Sequence, residues 1–119
     1  MSMRTERVAS LIREEVGMLF TREFRDPQYG FITVTEVRMS PDLRIAKIYL
    51  SILGNEEVKQ RTLKMLGDRK PEIRSFVGSH VRIKFTPSIQ FYLDDTLERV
   101  EKINRLIKEI HKNDEGKGE

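Results

Sequence analysis

Eight of the 22 Lys and Arg residues fall within residues 59–84: Lys59, Arg61, Lys64, Arg69, Lys70, Arg74, Arg82 and Lys84, opposed only by Asp68 and Glu72. That segment carries +6, whereas residues 1–58 and 85–119 carry −1 and −2, so the chain's net charge of +3 is concentrated there. A local basic block is the electrostatic footprint of a surface that meets phosphates. The same block also suits a solvated helix face that serves solubility, and charge alone does not separate the two.

Other chemistry is poorly represented. The chain has no cysteine, which removes disulfides, thiolate catalysis, Cys-based zinc sites and iron–sulfur clusters and fits a reducing compartment. His80 and His111 are the only histidines, too few for a His-rich metal site. Asp94 and Asp95 are sequence neighbours, which rarely converge on one substrate, and Asp95 is explained as a helix cap. His80 follows a short helix whose carbonyls it can cap, and His111 lies near the end of the last helix, where a cation is favoured. There is no Walker loop, no Gly-x-Gly-x-x-Gly and no nucleophile elbow. The expectation is a non-enzyme with no catalytic residue, no metal and no cofactor.

The elements that must position the basic block are legible from periodicity. Arg4–Phe24 reads as an amphipathic helix, with Val8, Leu11, Ile12, Val16, Leu19, Phe20 and Phe24 at three- and four-residue steps. Asp26-Pro27 and Gly30 end it. Phe31–Met39, rich in β-branched residues, predicts a strand, and Ser40-Pro41-Asp42 a turn. Leu43–Leu53 returns as a second strand, with Ala46, Ile48, Leu50 and Ile52 on one face. Asn55 caps the next helix, whose buried side is Val58, Thr62, Met65 and Leu66. Gly67 and Pro71 bracket a break, Pro71 opens a short second helix, and Gly78 marks its end. Val81–Leu93 predicts the third strand. Its odd positions are apolar, its even positions include Arg82 and Lys84, and Pro87 marks an edge or bulge. Asp95 and Glu98 form a capping box for a last helix striped with Leu97, Val100, Ile103, Ile107 and Ile110.

A chain of 119 residues suits one domain with a real core. No apolar run approaches a membrane span, and the charged start has no signal-peptide h-region. Residues 1–112 are expected to form a single domain with its C-terminal helix from about 95, and residues 113–119 a disordered tail. The order helix–strand–strand–helix–break–helix–strand plus C-terminal helix predicts an α+β, two-layer, KH-like domain with the third strand beside the first. An ordinary KH domain clamps RNA with Gly-x-x-Gly between its central helices. This chain lacks that motif and has Leu66-Gly67-Asp68-Arg69-Lys70-Pro71 in its place.

Several motifs occur in a characteristic order. Asp26-Pro27-x-x-Gly30-Phe31-Ile32-Thr33-Val34-Thr35 leads into Val37-x-x-Ser40-Pro41-Asp42-Leu43-Arg44-x-Ala46-Lys47-x-Tyr49-x-Ser51-x-Leu53-Gly54. Ile73-Arg74-Ser75, Arg82-x-x-Phe85-x-Pro87-x-Ile89-x-Phe91 and Asp94-x-x-Leu97-Glu98-Arg99 follow. With the opening Arg7-Val8-Ala9 helix, this string closely resembles the ribosome-binding factor A family over about residues 4–110. The resemblance implies a KH-like fold in which an Ala-x-Gly kink replaces Gly-x-x-Gly. Here Arg69 stands for the alanine and Pro71 for the glycine, so proline enforces the break.

The resemblance further implies a cytoplasmic, non-enzymatic assembly factor. Such a protein binds the free 30S small ribosomal subunit late in assembly, aids 5′-end maturation of 16S rRNA and matters in the cold. Lys59, Lys64, Arg69, Lys70, Arg74, Arg82 and Lys84 are the candidate RNA contacts, forming one patch if the even face of the third strand is open. Assembly GTPases stay open as partners, no membrane is involved, and a monomer is the default. Two rivals differ in what they predict. A general KH-like RNA binder would be competed by single-stranded RNA as well as by subunits. A protein–protein adaptor would be insensitive to salt and to neutralising the block.

Overall fold

The computed structural model describes residues 3–94 and 96–117. The element order is α1 (Met3–Glu23), β1 (Phe31–Met39), β2 (Ile45–Leu53), α2 (Glu56–Asp68), α3 (Lys70–His80), β3 (Ser88–Leu93) and α4 (Thr96–Lys117). Three strands form one sheet, and α1, α2 and α3 share a core with one of its faces. This is the α+β, KH-like architecture expected.

Helix α1 buries Val8, Ile12, Val16, Leu19 and Phe20, and Phe24 just beyond it is buried too. Leu11, assigned to the same stripe, lies at its margin and is exposed. Opposite α1 the sheet contributes Ile32, Val34, Val37, Met39, Ala46, Ile48, Leu50 and Ile89, and the helix pair contributes Leu66, Ile73 and Val77. Thr62 is fully buried among these apolar groups because its Oγ1 donates to Tyr29 O at 2.7 Å.

β1 and β2 pair antiparallel, with a bulge at Thr35 between the pairs Val34↔Leu50 and Glu36↔Tyr49. The extra residue places Thr35 Oγ1 2.7 Å from Asp94 Oδ2 and 3.2 Å from Tyr49 O. A hydroxyl on β1 thereby ties down the exit from β3. The hairpin turn is longer than the sequence suggests, and β2 begins at Ile45 instead of Leu43. Leu43 adopts φ 62° while Asp42 Oδ1 accepts from Ser40 Oγ at 2.7 Å and Arg44 N–H at 3.1 Å. Those bonds hold the Asp42 carboxyl below its ordinary pKa. Gly30, at φ 65°, is needed where the chain enters β1, because a Cβ there would collide with Leu53 O.

Three expectations are corrected. First, β3 lies beside β2, not beside β1: the strand order is β1-β2-β3, with β2 and β3 parallel. The chain leaves β2, crosses the helical layer through α2 and α3, and returns to the opposite end of β2, as a parallel crossover requires. There Ser88 N–H donates to Arg44 O, and at the far end Asp94 N–H donates to Leu50 O. Second, β3 is only Ser88–Leu93, and residues 81–87 are irregular. Pro87 has no N–H to give a ladder, and Arg74 takes up the carbonyls of Thr86 and Pro87. Third, α3 runs through Gly78 to His80, and Gly78 matters for closeness instead. A Cβ there would lie 2.8 Å from Thr86 Oγ1.

Helix α4 continues past residue 112 to Lys117, since no proline or glycine lies between Thr96 and Gly116. Val100, Ile103, Ile107 and Ile110 form its stripe and remain exposed. Leu97 and the capping box of Asp95 with Glu98 lie outside the described residues and side chains.

Candidate nucleic-acid interface

Asn55 opens α2, its Oδ1 accepting from Val58 N–H at 2.9 Å. Glu56 and Glu57 stand in the first turn, where the helix dipole favours acids. The helix stops at Asp68. Arg69, at φ −100° and ψ 11°, ends α2 and begins α3, and Pro71 occupies the first turn of α3. The break therefore falls on one residue, between Gly67 and Pro71 and inside the tripeptide that the family resemblance implies.

The seven candidate cations differ in how the fold uses them. Arg69 turns inward: its guanidinium carbon lies 4.2 Å from the ring centroid of buried Phe24, and Nη2 is 2.6 Å from Glu72 Oε2. Arg74 reaches to the segment before β3, donating from Nε to Pro87 O at 3.3 Å and from Nη2 to Thr86 O at 3.1 Å. Both are fastened by the fold. Lys59 is half-buried on α2. Lys64, Lys70, Arg82 and Lys84 are exposed and make no ion pair among the described residues. Arg61 resembles Arg74 in use, donating from Nη1 to Gln28 O at 3.0 Å with Glu57 Oε1 3.7 Å from its Nη2.

Arg74 brings the two parts of the basic block together. By holding residues 86 and 87 against α3 it sets Arg82 and Lys84 on a segment that adjoins the helix pair. Their exposure does not come from the open face of a strand, because residues 81–87 are not strand. The loss of alternation also turns Phe85 outward. It is 56% exposed, although its odd position predicts an inward side chain.

His80 and Asp94 have structural roles. His80 Nδ1 lies 2.9 Å from Phe76 O, and its ring stacks on Phe76, so it caps the end of α3 as expected. Asp94 accepts from Thr35. The side chain of His111 lies outside those described. Among the described residues no group of His, Cys, Asp and Glu could hold a metal ion, and no helix is long and apolar enough to cross a membrane.

The family model for ribosome-binding factor A matches residues 4–107. The chain belongs to the ribosome-binding factor A family. Solved structures of the family share its fold. Ribosome-binding factor A from Thermus thermophilus superposes with a TM-score of 0.65 at 19% identity, covering 75% of this chain and 94% of that one. A Thermotoga maritima protein, described as a candidate ribosome-binding factor A, is 30% identical with a TM-score of 0.55, covering 76% and 82%. A second Thermus thermophilus ribosome-binding factor A coordinate set, a homology model fitted into a cryo-electron-microscopy map of a 30S complex, gives a TM-score of 0.59 at 21% identity, covering 80% and 96%.

Within this member of the ribosome-binding factor A family, the basic surface extends beyond the block that sequence counting isolates. Arg4 on α1 and Arg44 beside the hairpin turn line a cleft of about 400 Å³ with Lys84 and Phe85. Neither arginine stands out in a charge tally, since acidic neighbours cancel both. The one sequence signal for this site is Pro87, which stops the ladder and frees Phe85.

Proposed function

We propose that this chain is a non-enzymatic assembly factor that binds the free 30S small ribosomal subunit. It aids late maturation of the 5′ end of 16S rRNA, acts in the cytoplasm, works as a monomer and is needed most in the cold. The observation that carries the reading is the broken helix pair, with exposed Lys64 and Lys70 joined through Arg74 to the segment bearing Arg82 and Lys84. A relative placed in a 30S complex supports the choice of subunit. Cations on a rigid body contact phosphates and set register without reading bases, so selectivity comes from RNA shape. Cold dependence follows if the factor favours one arrangement of RNA helices that rearrange slowly.

In this reading Lys64, Lys70, Arg82 and Lys84 contact phosphate, with Lys59 at the margin. Arg69 and Arg74 chiefly hold the scaffold that presents them. Co-sedimentation with separated small subunits, large subunits and whole ribosomes over a salt series tests it. Binding to small subunits alone is expected, with a log–log salt slope of about −0.7 to −0.9 per neutralised phosphate. Binding to everything, or to nothing, overturns it.

A further inference from the structure

Phe85 is an apolar ring left 56% exposed on a segment that the fold could have buried by continuing β3. It is surrounded by cations. The Arg44 guanidinium carbon lies 5.2 Å from its ring centroid and Lys84 Nζ lies 5.5 Å away. Arg4 lines the same cleft of about 400 Å³, contributed by the start of α1, the hairpin turn and residues 83–85. Asp42 is the one acid in the lining; its Oδ1 accepts from Ser40 Oγ and Arg44 N–H, and the three cations outnumber this single carboxylate. The site therefore combines an accessible aromatic face, three cationic side chains from three separate parts of the chain, and a volume suited to one small planar group.

We propose that this cleft takes a single unpaired nucleotide of RNA, the base stacking on Phe85 and the flanking phosphates meeting Arg4, Arg44 and Lys84. Phenylalanine has no hydrogen-bonding group, so any base stacks on it and the contact carries no sequence preference. Arg44 and Lys84 lie beside the ring, so the exposed part of the aromatic surface is bordered by cations. Both side chains are exposed, so a base displaces one of them and its charge then falls to the adjoining phosphate. Lys84 belongs also to the basic surface described above, so the cleft continues that surface around the hairpin turn. The inference rests on the RNA-binding reading and adds a base-stacking residue to it.

The chain has no tryptophan, so Phe85→Trp puts a lone indole in the cleft of the full-length protein. Its emission is followed against single-stranded oligoadenylate, a ribose-phosphate oligomer of equal length lacking bases, and an acidic peptide of matched charge. Saturable quenching by oligoadenylate, with little by the other two, is expected. Phe85→Leu, which keeps an apolar side chain at an exposed position, is expected to weaken oligoadenylate binding by about tenfold relative to wild type. Equal quenching by the base-free oligomer or the peptide overturns the proposal, as does absence of quenching or unchanged affinity in Phe85→Leu. Sedimentation of the wild type with small subunits keeps the two readings apart. If the wild type rides with subunits while the introduced indole stays unquenched, only the cleft fails. If the indole is quenched but no subunit is bound, the cleft stands and the assembly-factor reading fails.

Discussion

Helices α1 and α4 are near twins in sequence pattern and opposites in use. They span 21 and 22 residues, and each carries aliphatic side chains at three- and four-residue steps with charges between. In α1 the stripe meets the sheet, and Ile12 is fully buried. In α4 the corresponding stripe stays open, with Ile107 45% exposed. Periodicity decides which side of a helix is apolar. What covers that side depends on the rest of the chain. The basic residues also divide: Arg69 and the exposed Arg74 are bonded into the fold, whereas Lys70 and Arg82 are exposed and make no ion pair among the described residues.

The largest effect that would sharpen this contrast is Ile12→Ala, expected to cost about 2–5 kcal/mol in urea unfolding because it opens a cavity in a closed core. A loss below about 1 kcal/mol would mean that α1 is no better packed than α4. Arg74→Ala should cost about 1.5 kcal/mol, since charged donors to two carbonyls are removed and residues 86–87 are released. Unchanged stability would mean that its bonds to the two carbonyls do not hold residues 86–87. Ile107→Ala should shift stability by no more than about 0.5 kcal/mol. A loss comparable to that of Ile12→Ala would show that α4 packs on the body in solution. The double substitution Lys70→Ala with Arg82→Ala should leave the melting temperature unchanged, because exposed charges contribute little, while weakening small-subunit binding in the sedimentation assay. Intact binding would remove these cations from the interface.

Much of the fold is legible in the sequence because long apolar periods repeat faithfully. The residues from Val8 to Phe24 suit only a helix with a buried face, and Phe31–Met39 forms a strand at its expected limits. The break between Gly67 and Pro71 is equally plain, since proline does not continue a helix. Strand adjacency is not legible, because Ile89, Phe91 and Leu93 present the same inward face whether β3 joins β1 or β2. The alternation overstates the extent of β3, since Val81, Ile83 and Phe85 keep the pattern going where the backbone has lost its ladder. The candidate site is visible as a concentration of charge but not as an arrangement. A lysine or arginine count cannot say that Arg69 lies over Phe24 or that Arg74 bonds to Pro87 O. The cleft beside Phe85 is hidden further, since its arginines come from distant parts of the chain.

The parallel pairing of β2 with β3 has a consequence for the order of folding. Its first rung joins Ile45 to Ser88, 43 positions apart, whereas β1 and β2 are joined by a turn of a few residues. Closing a long loop costs chain entropy before any contact repays it, so the hairpin with α1 is expected to form early and β3 to add late. Ile89→Val should then speed unfolding with little change in the folding rate in stopped-flow measurements, and a matched slowing of folding would reverse the order. Arg74 reaches Thr86 and Pro87 only after β3 has docked. The basic face is thus completed in the last step, and a half-folded chain carries scattered cations in place of a surface.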